Sequence, residues 1–213
     1  THLREKRLAK YTKRMDVERA DRENKKKLIM KVIREVFIWA LEIAAVILLA
    51  YFIVHYTVEK TDMVGVSMEG TLYDGDSIVI NKFSYQFIDP RRFDVIVFKQ
   101  SGKEHSYYNI KRIIGLPGET VQIKEDNIYI NGEILEEAIL VEPMINYGLA
   151  EEEIKLEENE YFVLGDNRNN SEDSRFASIG NIRREEIVGK AFLRLSPFNF
   201  VDKLNLIPIK SEE

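Results

Sequence analysis

The sequence predicts a mainly β domain of short strands, preceded by one N-terminal transmembrane helix. The helix is predicted from residues 36–54, which contain a single charged side chain, Glu42. The β-domain is predicted from the residues that follow, where short runs rich in Val, Ile, Tyr and Phe alternate with turn residues. Together these observations divide the chain into a tail at 1–35, a membrane helix at 36–54 and a β-domain at 55–213.

The apolar segment at 36–54 has the length and the flanking residues of a membrane span. Its residues would form a helix about 28 Å long, close to the hydrocarbon thickness of a bilayer. Trp39 near one end and Tyr51 and Tyr56 near the other suit the two interfaces. A cleavable signal peptide would have a shorter apolar run and a small-residue site behind it, and a buried helix would have a polar face. The sequence therefore favours a permanent span.

The orientation of this span follows from the charge distribution. Residues 1–35 contain 13 Lys and Arg against 6 Asp and Glu, a net charge of +7, whereas the remainder has a net charge of −12. Positively charged flanks stay in the cytoplasm. We therefore predict a single-pass protein of the cell membrane, with the tail in the cytoplasm, the domain at 55–213 outside, and the lipid bilayer as a partner.

Seven strands are predicted in the outer domain, with turn residues between them. They cover 77–80, 94–98, 108–114, 120–123, 128–130, 161–164 and 187–195. Asn131-Gly132 is typical of a hairpin turn, and Glu125-Asp126-Asn127 marks another turn. The stretch at about 119–160 is interpreted as an inserted, cap-like segment that contains this hairpin. The apolar residues of 82–88 are assigned to the core in preference to a lipid-facing patch.

The residue inventory excludes several kinds of catalytic and metal site. There is no cysteine, so disulfides, thiolate zinc sites and thiol nucleophiles are excluded. The three histidines, His2, His55 and His105, are scattered and lack the spacing of metal ligands. We therefore expect no metal and no cofactor. A serine nucleophile in this chain would need a base other than histidine.

Three segments of the outer domain are rich in residues that packing alone does not require. They are a glycine-bracketed turn at 65–72, an apolar strand at 108–119 that carries one lysine and runs into a Gly-Leu-Pro-Gly turn, and a polar stretch at 165–175 after a hydrophobic strand. Taken singly, they fit a loop, a strand whose lysine reaches solvent, and a turn. Together, in a chain without a usable His or Cys, they favour a Ser–Lys catalytic pair.

These segments resemble the characteristic boxes of bacterial type I signal peptidases, in their short, Gram-positive-like form. The matching residues are Ser67-Met68-x-x-Thr71-Leu72, Lys111-Arg112-x-Ile114-Gly115-Leu116-Pro117-Gly118 and Gly165-Asp166-Asn167-Arg168-x-x-Ser171-x-Asp173-Ser174-Arg175. The resemblance extends from residue 36 to about residue 195. Its third box, with eight matches in eleven positions, is the most specific.

The resemblance implies a signal-peptidase-like β-domain and a membrane-bound serine endopeptidase. Such an enzyme removes N-terminal signal peptides from exported preproteins, and no nucleic acid is expected as a partner. Ser67 would be the nucleophile and Lys111 the general base of an acyl transfer. Ser171 would hydrogen-bond the Lys111 amine and orient it. Asp173 and Arg175 would form a charge pair that holds the loop carrying Ser171.

The resemblance also implies where the substrate is held. The backbone N–H of Ser67 would bind the oxyanion. Gly65 stands where some members have a serine as a second donor, so any second donor here must be a backbone group. Met68, Leu72 and Ile110 fall at the positions of the family's substrate pocket. We therefore expect cleavage after Ala-x-Ala-like small residues.

Two positions depart from the family pattern. Gly70 stands where the family usually has proline, and Asn109 where it commonly has tyrosine. Proline stiffens a turn and glycine loosens it. Because neither position carries a reacting group, these departures bear on catalytic rate and pocket shape.

Lys111 can act as a base only when its amine is neutral, and the ordinary pKa of lysine is about 10.4. Burial among apolar neighbours such as Ile110, Ile113 and Ile114 disfavours the ammonium and lowers the pKa. A pKa of about 8 would require about 3.3 kcal/mol of desolvation, which lies within the range of buried lysines.

Two other functions are compatible with parts of this pattern. A Ser–Lys self-cleaving regulator shares the catalytic pair but has a DNA-binding domain, for which residues 1–35 are too short. A catalytically weak or silent membrane-anchored homologue is disfavoured by the presence of Ser67, Lys111, Ser171 and Asp173. Activity on a preprotein separates the silent homologue from the peptidase.

Overall fold

The computed structural model describes residues 2–100 and 107–203, in two compact units that meet in sequence between Val54 and His55. The loop that contains His105 lies outside the described residues. Helix α1 (His2–Thr57) begins the chain. Among the described residues it is the one helix long and apolar enough to cross a membrane, and its most apolar window has a mean hydropathy of 2.5. Its length and composition make it a candidate span.

The second unit is built from short β-strands. They are β1 (Val58–Asp62), β2 (Ser77–Asn81), β3 (Val95–Phe98), β4 (Asn109–Gly115), β5 (Thr120–Lys124), β6 (Asn127–Ile130), β7 (Glu133–Ile134), β8 (Ile154–Lys155), β9 (Glu160–Leu164), β10 (Ile182–Arg183), β11 (Ile187–Leu195) and β12 (Phe198–Phe200). Each of the seven predicted strands coincides with one of these. The prediction of a mainly β domain after one long apolar helix is therefore confirmed.

Most strands form one antiparallel sheet, in the order β1-β2-β11-β3-β4-β9-β10, with β12 paired to β11. Its central strand β3 is buried on both faces. Val95 and Val97 belong to one hydrophobic cluster, and Ile96 and Phe98 to another on the opposite face. Burial on both faces explains why this strand is a continuous apolar run without polar alternation.

A smaller sheet, in the order β7-β6-β5-β8, lies within the segment interpreted as an insertion. The β6–β7 turn has φ angles of 52° at Asn131 and 87° at Gly132, and the β5–β6 turn has φ angles of 50° at Glu125 and 61° at Asp126. Two consecutive positive φ angles are the signature of the type I′ turn that joins two-residue hairpins. The hairpin predicted from Asn131-Gly132 is confirmed.

The two sheets share a third hydrophobic cluster. Ile114 of β4 and Phe162 of β9 pack there with Val121 and other apolar residues of the small sheet. Gly115 ends β4 at this junction, and a Cβ at this position would lie 2.6 Å from a Val121 methyl carbon and 2.8 Å from a Leu156 methyl carbon. A side chain at Gly115 would therefore force these packed side chains to shift.

The assignment of the apolar residues at 82–88 to the core is wrong for most of them. Phe83, Phe87 and Ile88 are 48%, 73% and 51% exposed, and only Tyr85 is buried. A single 3₁₀ turn, Ser84–Gln86, forms here, and so short a turn presents one side chain to the domain. Tyr85 donates its hydroxyl hydrogen to Asp94 at 2.8 Å, which explains why that ring faces inward.

Burial of both faces of β3 leads to a stability prediction. Ile96→Ala and Val97→Ala should each lower the free energy of unfolding by about 2–4 kcal/mol, because each leaves a cavity in a different cluster. The matched control is Ile145→Ala, since Ile145 is 87% exposed and should change stability by less than about 0.5 kcal/mol. Thermal unfolding of the detergent-solubilised chain measures all three. Loss at only one of the two β3 positions would contradict the double-sided core.

Candidate active site

Ser67 lies in a tight turn that follows β1. The N–H groups of Thr71 and Leu72 both donate to the carbonyl oxygen of Met68, at 3.0 and 2.7 Å, so the backbone coils directly after the serine. Upstream, the N–H of Gly65 donates to a carboxylate oxygen of Asp74 at 2.7 Å. Ser67 is therefore held between two hydrogen-bonded segments of backbone.

Gly70 has a φ angle of +96°. Proline is restricted to a φ angle near −65° and cannot adopt this conformation. A proline at position 70 would therefore require a different backbone conformation in this turn. Glycine adopts the observed conformation without steric cost.

Lys111 brings its amine to the hydroxyl of Ser67. It lies in the middle of β4, opposite Ile96 of β3, and its side chain is 5% exposed. The Lys111 Nζ donates to Ser67 Oγ at 2.8 Å and to the carbonyl oxygen of Ile110 at 3.2 Å. Two residues 44 positions apart in sequence are thus in direct contact.

The environment of this amine lowers its pKa. Burial disfavours the ammonium and lowers the pKa of Lys111 to about 8, against the opposing attraction of Asp173, Glu172 and Asp166. No carboxylate forms an ion pair with Lys111 among the described residues. A substantial neutral fraction of the amine therefore exists near neutral pH, as a general base requires.

The backbone N–H of Ser67 donates to no acceptor among the described residues, and it is therefore free to bind a substrate oxygen. The N–H of Gly65 is already bonded to Asp74. Gly65 thus has neither a side chain nor a free backbone donor for an oxyanion. Any second donor must come from another backbone group.

The third sequence box packs directly on the turn of Ser67. The N–H of Asn167 donates to the carbonyl oxygen of Ser67 at 3.1 Å. A Cβ at Gly165 would lie 2.5 Å from that same oxygen and 2.2 Å from the hydroxyl oxygen of Ser171. Only glycine fits at this position, because any side chain would push the two serines apart.

Ser171 is brought next to the site, but the expected hydrogen bond to Lys111 is not formed. Its Oγ is buried and has no hydrogen-bond partner among the described residues. The hydroxyl instead faces the bare Cα of Gly165. A buried hydroxyl without a partner is unfavourable, and rotation of its side chain is the adjustment that would give it one.

Asp173 and Arg175 form a buried ion pair, with 2.8 Å between Arg175 Nε and Asp173 Oδ1. The guanidinium also donates to the carbonyl oxygens of Arg168, at 2.6 Å, and Asn146, at 2.8 Å. The other carboxylate oxygen of Asp173 accepts from the N–H of Gly165 at 3.1 Å. The pair therefore closes the loop that carries Ser171.

A second buried ion pair was given no role from sequence. Arg112, the neighbour of Lys111, makes a bidentate contact with Asp166, at 2.8 and 2.6 Å. Its guanidinium also donates to the Thr71 hydroxyl at 3.2 Å, and that hydroxyl donates to Asp166. Arg112, Thr71 and Asp166 all belong to the boxes that match the family, so the sequence did single out these residues. Nothing in their spacing showed that they bond to one another.

Met68, Leu72 and Ile110 lie together in one buried cluster, with exposures of 0%, 0% and 3%. The structure thus places the three residues expected to line a substrate pocket beside one another, beneath the surface near Ser67. Asn109, where the family commonly has tyrosine, begins β4 and is half-buried. Within the described ranges, no cluster of three His, Asp or Glu side chains has the arrangement of a metal site.

Comparison with known proteins identifies the family to which this chain belongs. The family model described as "Signal peptidase, peptidase S26" matches residues 36–196. This chain belongs to that family. It is a serine peptidase of the bacterial type I signal peptidases, the family that removes signal peptides.

Relatives in this family come from cyanobacteria and from Bacillus. "Probable signal peptidase I-2" of Synechocystis is 39% identical over 156 residues, covering 71% of this chain and 69% of the relative. "Signal peptidase I T" of Bacillus subtilis is 35% identical over 173 residues, covering 76% and 86%. A crystal structure of a signal peptidase I from Enterococcus faecalis is 35% identical and superposes with a TM-score of 0.40, over 48% of this chain and 97% of that one.

The lowered pKa of Lys111 leads to a stability prediction for this family member. A lysine whose pKa falls from 10.5 to about 8 on folding resists protonation in the native state. It therefore destabilises the fold progressively as pH falls from about 10.5 to 8, by about 3 kcal/mol below that range. Lys111→Met should raise the melting temperature at pH 7 by about 5 °C, and by much less at pH 10.

The matched control for this variant is Lys60→Met, because Lys60 is exposed on β1 and has no ion pair within the described part of the chain. Thermal unfolding of each variant across pH 7 to 10 makes the comparison. A melting-temperature difference for Lys111→Met that does not change with pH would contradict a buried amine with a lowered pKa.

Proposed function

We propose that this protein is a membrane-anchored endopeptidase that removes N-terminal signal peptides by a Ser67–Lys111 dyad. The observation that carries the proposal is the 2.8 Å contact between Lys111 Nζ and Ser67 Oγ, made by a lysine that is 5% exposed. A serine hydroxyl is a weak nucleophile that needs an adjacent base, and a buried lysine can be neutral enough to supply one.

The chemistry is an acyl transfer. Neutral Lys111 accepts the hydroxyl hydrogen of Ser67 while Ser67 Oγ bonds to the scissile carbonyl carbon. Negative charge develops on the carbonyl oxygen, where the free N–H of Ser67 stabilises it. The resulting Lys111 ammonium gives its proton to the departing amine, and the carbon–nitrogen bond breaks. A water, deprotonated by Lys111, then hydrolyses the ester and regenerates both residues.

Three further residues would orient this dyad. We assign Ser171 the task of positioning the Lys111 amine, through a rotation that turns its unpartnered hydroxyl toward Nζ. The ion pair of Asp173 and Arg175 would hold the loop of Ser171 against Gly165. These assignments are supported by packing, since the hydroxyl of Ser171 and the carbonyl oxygen of Ser67 both lie against Gly165.

The side chains before the cut would lie against Met68, Leu72 and Ile110. These residues are packed with almost no exposure, so little space is available over them and only small side chains would fit there. This favours substrates with Ala-x-Ala-like residues before the bond. The preproteins would meet the site outside the cytoplasm, because the basic tail before the apolar helix favours a cytoplasmic N-terminus.

The test of the dyad uses detergent-solubilised full chain, a preprotein with a signal peptide, and mass determination of the released N-terminus. Ser67→Ala and Lys111→Ala should each lower kcat/KM by at least about 10³-fold, and the double variant should lose no more, because the two residues act as one unit. The control, Lys60→Ala, should cleave normally. For the unchanged chain, kcat/KM should rise with pH around an apparent pKa near 8.

Unchanged cleavage by a folded Ser67→Ala variant would remove Ser67 from the reaction. A folded chain that cleaves no preprotein under any condition would instead identify a silent homologue.

The specificity test varies one preprotein at the residues before the bond. Phe in place of Ala at the residue directly before the cut should lower kcat/KM by at least about 10²-fold, because the tightly packed Met68, Leu72 and Ile110 leave too little space for the ring. Phe at the middle residue of Ala-x-Ala is the control and should be tolerated. Equal rates with Ala and Phe directly before the bond would contradict the proposed pocket.

A further inference from the structure

A cavity of about 590 Å³ lies beside the turn of Ser67. It is walled by three segments: the nucleophile turn, the chain between β7 and β8, and the loop after β9. The lining residues are Glu69, Gly70, Leu140, Val141, Glu142, Pro143, Asp166, Asn167, Arg168 and Asn170. The cavity thus joins the nucleophile turn to the inserted segment.

The wall of this cavity is hydrogen-bonded directly to the nucleophile turn. The N–H of Asn167 donates to the carbonyl oxygen of Ser67 at 3.1 Å. The side-chain amide of Asn167 donates to the carboxylate of Glu69 at 3.1 Å and to the carbonyl oxygen of Val66 at 3.2 Å. The cavity is therefore directly adjacent to the nucleophile turn, and a polypeptide bound at Ser67 could extend into it.

The other side of the same turn carries the residues proposed to contact the substrate side chains that precede the scissile bond. Met68 and Leu72 point into the buried cluster with Ile110, whereas Glu69 and Gly70 line the cavity. A chain extended across Ser67 must have one side of its scissile bond on each flank. If the proposed function holds, the residues after the bond leave over the cavity.

The charges in the cavity do not cancel. Asp166 forms an ion pair with Arg112, and Arg168 forms a bidentate ion pair with Glu137, so the charges of these four residues balance one another. Glu69 and Glu142 form no ion pair among the described residues. Two uncompensated carboxylates therefore face the space next to the nucleophile, where they attract cations and repel anions.

The apolar residues of the cavity come from the inserted segment. Leu140 is 67% exposed at its rim, and Pro143 is tied to the loop after β9 because its carbonyl oxygen accepts from Asn169 at 3.0 Å. The aliphatic part of a lysine or arginine side chain can lie on such a surface while its charged end meets a carboxylate. The chemistry of the wall thus fits a basic side chain of a peptide.

From this placement we infer that the cavity binds the first residues of the released chain, after the scissile bond. Glu69 and Glu142 make it select basic over acidic side chains there. The inference rests on the proposed peptidase function and adds to it a determinant of which preproteins are processed quickly.

The test uses three versions of one preprotein that carry Lys, Gln or Glu at the second and third residues after the bond. With the full chain in detergent at low salt, kcat/KM should fall in the order Lys, Gln, Glu, by about tenfold in all. The ratio should shrink toward one as salt is raised, because the carboxylates are accessible to solvent.

The substitutions Glu69→Gln and Glu142→Gln should each reduce the Lys-to-Glu ratio to about threefold, and together they should bring it near one. Glu69→Gln keeps an oxygen that accepts from Asn167, so the turn remains bonded. The matched control is Glu133→Gln on exposed β7, which should leave the tenfold ratio unchanged.

Equal rates for the three versions in the unchanged chain, or a tenfold ratio retained in the double variant, would overturn the inference and leave the peptidase function standing. Failure to cleave any version, including an Ala-x-Ala preprotein with neutral residues after the bond, would overturn the proposed function and the inference with it.

Discussion

The burial of one amine, that of Lys111, is the constraint on which the rest of the site depends. Removal from water lowers its pKa to about 8, and its nitrogen lies 2.8 Å from the hydroxyl oxygen of Ser67. Two of the carboxylates that oppose this shift, Asp166 and Asp173, are each paired with an arginine. An unpaired carboxylate at either place would stabilise the charged form of the lysine more strongly and raise its pKa.

The two arginine pairs also connect the segments that form the site. Arg112 of β4 joins Asp166 and Thr71, and so ties the lysine strand to the nucleophile turn and to the loop after β9. Arg175 joins Asp173 to the backbone of the inserted segment at Asn146. Buried pairs of this kind are costly to break, because each partner would be left as an uncompensated charge. Catalytic geometry and fold stability therefore depend on the same contacts.

The features that could be predicted from the sequence are those that local sequence patterns determine. The strands and the Asn131-Gly132 turn follow from alternation and from backbone preferences that neighbouring residues set. Ser67 and Lys111 were predicted as a catalytic pair from their boxes and from the absence of a usable histidine. The errors were tertiary in origin. Phe83 and Phe87 are as apolar as core residues, but a 3₁₀ turn too short to bury them leaves them exposed. The hydroxyl of Ser171 lies against Gly165 without a hydrogen-bond partner, so the expected bond to Lys111 is not formed.

The sequence by itself determined the apolar helix, the short strands, the turns and the residue types available for catalysis, because these depend on composition and on near neighbours. The tertiary structure alone decided which of those residues meet. Desolvation of Lys111 depends on every segment packed around β4, and its contact with Ser67 closes a loop of 44 residues. The cavity beside Glu69 and Glu142 likewise exists only because the inserted segment folds back onto the nucleophile turn. Solvent exclusion is a property of the whole packed domain, which a one-dimensional pattern does not contain.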